Sequence, residues 1–100
     1  MTIRHTVIWK LKAEDAAEKA AVSADIIDRC LGLADVIPQV HNLKVLANHP
    51  DRANSGDLIL EAEFDNFEDM QTYLTHPEHV AGVEYVKALV ASGLTVDYEY

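Results

Sequence analysis

Cysteine, proline and glycine are all scarce in this chain of 100 residues, with one Cys, three Pro and four Gly. The lone Cys30 has no partner for an intrachain disulfide, which excludes a disulfide-stapled scaffold and agrees with a reducing compartment. Its position within a helical pattern reads as buried packing rather than as a reactive thiol. Basic residues are also few: 8 Lys and Arg face 17 Asp and Glu, for a formal charge of −9 and a pI near 4.7. That balance opposes binding to phosphate backbones or to an anionic membrane surface, since both depend on clustered Lys and Arg. No nucleic-acid partner and no membrane partner are expected. Apolar runs are short, and none approaches the roughly 20 residues needed to span a bilayer. The first residues show neither the basic nor the apolar segment of a signal peptide, so a cytoplasmic location is expected. Internal repeats and low-complexity segments are missing as well.

What is present suits one folded domain spanning residues 1–100. Hydrophobic residues make up 49% of the chain and charged residues 25%, the balance of a globular protein rather than a disordered one. At this size only roughly 60–65% of the unfolded chain's surface can be buried, so a lone monomer has a thin core.

Residues 3–12 alternate, placing Ile3, His5, Val7, Trp9 and Leu11 on one face, and this period of two predicts a strand. Residues 13–33 are rich in Ala, Glu and Lys, with Val22, Ile26, Ile27, Cys30 and Leu33 at helical spacing, and Pro38 closes that helical region. Strands are predicted over 40–48 and 57–65, joined by a polar loop over 49–56. Asn66 is placed to cap a helix whose stripe is Phe67, Met70, Tyr73 and Leu74, ending near His76 and Pro77. A further helix over 78–91 is expected to stop at Gly93, and residues 94–98 read as a fourth strand. The order β-α-β-β-α-α-β is the ferredoxin-like α+β plan with a four-stranded antiparallel sheet.

Leu58, Leu60, Ala62 and Phe64, with Val7, Trp9 and Leu11, give the sheet one apolar face for the helices. The other face mixes Ile8, Val40 and Ile59 with Thr6, Lys10, Lys44, Glu61 and Glu63. Helices with this connectivity cover only one face, so a two-fold homodimer that pairs the open faces is expected.

The opening Ile3-Arg4-His5-Thr6-Val7-Ile8-Trp9-Lys10-Leu11-Lys12, the Ile37-Pro38 step, Phe64-Asp65, the segment Tyr73-Leu74-Thr75-His76-Pro77-Glu78-His79-Val80 and the closing Val96-Asp97-Tyr98 resemble the stress-responsive A/B-barrel (Dabb) family. The resemblance covers nearly the whole chain and is most specific at His76-Pro77-Glu78-His79-Val80. It implies a protomer whose sheet pairs with a partner's to make a dimeric α+β barrel. The same segment resembles the plant olivetolic acid cyclase branch, which closes a linear tetraketide by an intramolecular aldol step without metal or organic cofactor. Carried over by that resemblance, the branch's tyrosine falls on Tyr73, its catalytic histidine on His79 and its pocket histidine on His5. The first helix carries Ala and Val where a wide apolar tunnel would carry Phe and Tyr, which argues against a long alkyl substrate.

From the residues themselves, an imidazole with an ordinary pKa of about 6.5 suits removal of an acidic α-proton, and a phenol can donate to the developing oxygen. His79 as base and Tyr73 as donor are the catalytic candidates, with packing at a helix corner as the alternative. His5, Val7, Trp9 and His76 are the binding candidates. His5 on an apolar face needs either a hydrogen-bond partner or a cavity. His76 and His79 could share a metal with His5, Glu78 or Glu84, but Pro77 makes His76 a helix cap, and neither metal nor cofactor is expected. His41 and His49 read as surface residues. Strand alternation and a helix start account for the acidic run Glu61, Glu63, Asp65, Glu68 and Asp69. Two functions stay open: a small-molecule site with cofactor-free acid–base chemistry, or a non-catalytic stress-response or interaction module acting through dimer assembly. A cavity reaching His79 favours the first.

Overall fold

A computed structural model describes residues 1–52 and 55–100. Ala53 and Asn54, within the polar loop expected over 49–56, lie outside the described residues.

Strand β1 (Ile3–Leu11) carries the predicted alternation, with Ile3, His5 and Leu11 buried. Helix α1 (Ala16–Leu31) starts three residues later than its composition suggests, because Asp15 takes the N-cap and accepts from the Glu18 N–H at 3.0 Å. Gly32 separates α1 from the four-residue α2 (Leu33–Val36), so the long helical region is broken rather than continuous. Strands β2 (His41–Ala47) and β3 (Leu58–Phe64) follow. Asn66 caps α3 (Phe67–Thr75) by accepting from the Asp69 N–H at 2.8 Å. His76 then caps α4 (Pro77–Lys87): its Nδ1 accepts from the Glu78 N–H at 3.1 Å, and Pro77 occupies the first turn, where its missing N–H costs nothing. Strand β4 (Val90–Glu99) ends the fold.

The four strands form one antiparallel sheet in the order β2-β3-β1-β4. The fold is therefore the ferredoxin-like β-α-β-β-α-α-β arrangement, with α1 and α2 counted as one interrupted crossover. The helices supply Ile26, Cys30, Leu33, Met70, Tyr73 and Val86 to a core completed from the sheet by Leu58, Leu60, Ala62 and Phe64.

Two further expectations change. Val40 belongs to the core, not to the open face. The β2 pairing register breaks between His41 and Lys44, where Asn42 adopts a φ of 49°, so strict alternation counted back from Val45 reverses before it reaches Val40. Gly93 does not end a helix: α4 stops at Lys87, and Gly93 lies inside β4 opposite Trp9. A Cβ at Gly93 would sit 3.1 Å from the Trp9 ring, so the absence of a side chain there gives the indole room.

No helix among the described residues covers the opposite face of the sheet. That face exposes Ile8, Leu46, Leu94, Val96 and Tyr98, all large apolar or aromatic side chains. Arg4 pairs with Glu63 at 2.7 Å and with Glu61 at 3.6 Å, so part of the acidic run is neutralised within the protomer.

Candidate functional site

Between the sheet and the helices lies a cavity of ≈ 590 Å³, within the range of small-molecule sites. β1 contributes His5, Val7 and Trp9, the α3–α4 corner contributes Tyr73 and His79, and β4 contributes Asp97. His5, Tyr73 and His79, far apart in sequence, thus face one space.

Each position follows from local structure. His5 is on the helix-facing side of β1 by the period of two, and its 5% exposure is low enough that its ring requires a partner. Asp97, its direct neighbour across β1 and β4, supplies one: His5 Nδ1–H donates to Asp97 Oδ1 at 2.5 Å. That bond leaves Nε2 as the nitrogen available to a ligand. The chain turns at His76 and Pro77, which brings His79 back over the end of α3. There its Nδ1–H donates to the Leu74 carbonyl at 3.0 Å, and because a carbonyl can only accept, Nε2 of the neutral ring carries the lone pair. Burial pushes the His79 pKa below the ordinary value of 6.5; the Leu74 carbonyl opposes that shift, while nearby His5 and His76 add to it. His79 is accordingly held as a neutral imidazole, the form that can take a proton.

Tyr73 stands between the two imidazoles, with ring centroids 4.5 Å from His79 and 6.1 Å from His5, and it packs on Phe64 at 5.1 Å. Burial raises its pKa, so the phenol stays protonated and can donate. No group among the described residues hydrogen-bonds its hydroxyl. The arrangement offers a base, a hydrogen-bond donor and a carboxylate-oriented second imidazole around an otherwise apolar space.

Five of the six binding and catalytic candidates, His5, Val7, Trp9, Tyr73 and His79, border the cavity from β1 and the helix corner. His76 is not among the lining residues, because its ring is committed to the α4 cap. Asp97 is the residue that sequence reasoning missed. Its signal was its register: an acid in a strand that pairs with β1 stands opposite whichever β1 residue shares its face. Cys30 is buried against the cavity, and burial pushes its thiol up to about 11, which agrees with a packing role. His41 and His49 are exposed, as expected. No group of three or more His, Cys, Asp or Glu among the described residues is arranged to hold a metal ion.

Residues 3–100 match the family model of the Stress responsive A/B Barrel Domain, Dabb. The chain belongs to the Dabb family. A dimeric protein of unknown function and ferredoxin-like fold from Bacteroides fragilis is similar at 31% identity and a TM-score of 0.85, with 99% of this chain and 96% of that one covered. A Dabb family protein with a ferredoxin-like fold from Mesorhizobium loti shows 24% identity and a TM-score of 0.77, over 99% and 96% of the two chains. Hydroxynitrile lyase from Passiflora edulis shares the fold at 17% identity and a TM-score of 0.80, over 97% and 91%. No curated protein matches the chain.

Proposed function

We propose that this Dabb protein is a homodimer that binds a small organic molecule between sheet and helices and performs cofactor-free acid–base chemistry on it. The observation that carries the proposal is the cavity lined by His5, Tyr73 and His79, in which no group among the described residues bonds Nε2 of either imidazole or the Tyr73 hydroxyl. In this reading His79 Nε2 removes a proton from the carbon next to a carbonyl. The electron pair moves onto the carbonyl oxygen, and the Tyr73 hydroxyl donates a hydrogen bond to the developing charge. Asp97 holds His5 in one tautomer, and His5 orients the substrate. The resulting enolate carbon can attack a second carbonyl of the same molecule, as in a cyclase: a carbon–carbon bond forms as that carbonyl's π bond breaks to an alkoxide, which takes the proton back from the His79 imidazolium. That a similarly folded Passiflora edulis protein is a hydroxynitrile lyase fits a fold able to host such chemistry, although at 17% identity the likeness carries the fold alone. The large apolar side chains exposed on the open face support the dimer, as does the dimeric Bacteroides fragilis protein.

The experiment is turnover of an enolisable β-polyketone by three proteins. His79→Ala is expected to abolish activity while the melting curve stays cooperative. Tyr73→Phe removes one donor and is expected to slow the reaction about 10²–10³-fold, roughly 2.7–4 kcal/mol of transition-state stabilisation, with little loss of stability. If His79→Ala unfolds the protein and Tyr73→Phe is silent in every assay, both side chains are packing elements and the catalytic assignment fails.

A further inference from the structure

Cations are a minority in this chain, 8 against 17 acids, and three of them, Arg4, Lys10 and Lys19, are already committed. Arg4 meets Glu61 and Glu63, while Lys10 and Lys19 meet Asp57. Arg29 and Lys87 differ: both line the cavity, and among the described residues neither meets a carboxylate within ion-pair distance. They come from different elements, the last turn of α1 and the last turn of α4. The Arg29 guanidinium lies over the Tyr85 ring at 4.7 Å, a contact that restrains the group without neutralising it.

Their place within the cavity gives it a direction. His79, Gly82, Val83, Val86 and Lys87 all line it from α4, at the spacing of one helix face, so the cavity runs along that helix. His79 stands near one end, and Lys87 follows about 12 Å further along the axis at 1.5 Å per residue. The two lining carboxylates, Glu78 and Asp97, belong to the His79 end, where Asp97 is occupied by His5. Val83, Val86 and Leu33 leave the stretch between apolar. The cavity thus has a proton-transfer end, an apolar middle and a cationic rim.

Resting on the small-molecule reading above, we infer that the ligand is an enolisable carbonyl compound with a carboxylate at its other end, held by Arg29 and Lys87. The carboxylate fixes which way round the molecule enters, and so which carbon meets His79 Nε2. A role confined to complementing the C-terminal ends of α1 and α4 would not distinguish a carboxylate from its ester.

Succinylacetone, a β-diketone with a terminal carboxylate, is the probe, compared with its methyl ester and with acetylacetone. Binding is followed by calorimetry and by the imidazole nitrogen resonances of His79. The wild type is expected to bind the acid about tenfold more tightly than the ester. Arg29→Gln combined with Lys87→Gln is expected to lower the acid's affinity to the ester's level, while Arg29→Lys retains part of the preference. Equal or tighter binding of the ester by the wild type overturns the carboxylate assignment and leaves the small-molecule reading standing. If acid, ester and acetylacetone all fail to move the His79 resonances, both readings fall.

Discussion

At the scale of residues, the site depends on how two imidazoles are held. Both donate from Nδ1, His5 to a side-chain carboxylate and His79 to a main-chain carbonyl, and in both Nε2 is left for chemistry. The difference has a consequence for stability. Burial lowers the folded-state pKa of His79 below its unfolded value, so between the two values the unfolded chain binds more protons and stability rises with pH. The contribution is fully present above about 6.5 and is lost as pH falls through the lowered folded pKa. Urea midpoints at pH 7.5 and 5.5 are therefore expected to fall more steeply in the wild type than in His79→Gln, which cannot titrate. Parallel declines in the two proteins would contradict the buried neutral imidazole. Tyr73 and His79 were legible in the sequence because a Pro-marked helix corner and the family resemblance both single them out. Asp97 was not: alternation puts it on the face opposite Leu94, Val96 and Tyr98, and nothing in the sequence marked which of the two faces meets the helices.

At the scale of elements, β4 shows why. Alternation separates a strand's two faces but does not say which one meets the helices. In β4 the polar residues Thr95 and Asp97 line the cavity, while Leu94, Val96 and Tyr98 are exposed on the open sheet face. The boundary between α4 and β4 was obscured for a related reason: Leu89 and Val90 suit a helix stripe as well as a strand, and no glycine separates the two elements. Caps were better guides, since Asn66 and the His76–Pro77 step each fix a helix start by satisfying a backbone N–H. The outward apolar residues of β4 carry a prediction about assembly. Leu94 is 68% exposed in the protomer, and a soluble protein seldom leaves such a side chain wet beside Ile8 and Val96. Light scattering at micromolar concentration is expected to give the dimer mass for the wild type and the monomer mass for Leu94→Asp, which puts a charge into the paired faces. A monomeric wild type would contradict the barrel.

At the scale of the whole molecule, the fold divides its labour between two sheet faces. One face, closed by helices, holds the cavity; the other exposes Ile8, Leu46, Leu94, Val96 and Tyr98 beside the Arg4, Glu61 and Glu63 ion pairs. No helix among the described residues is long and apolar enough to cross a membrane. Topology and core were readable from periodicity, because a thin α+β domain has few ways to bury its apolar residues. Whether space remains between sheet and helices was not, since cavity volume depends on side-chain fit that alternation does not record. The central claim is that this space receives a ligand in contact with both imidazoles. It is tested most directly by titrating nitrogen-labelled protein with acetylacetone while following every histidine ring and the Trp9 indole. The account predicts saturable shifts at His5, His79 and Trp9, with His41 and His49 unmoved. Shifts confined to His41, His49 or His76, or no shifts at all, would contradict it.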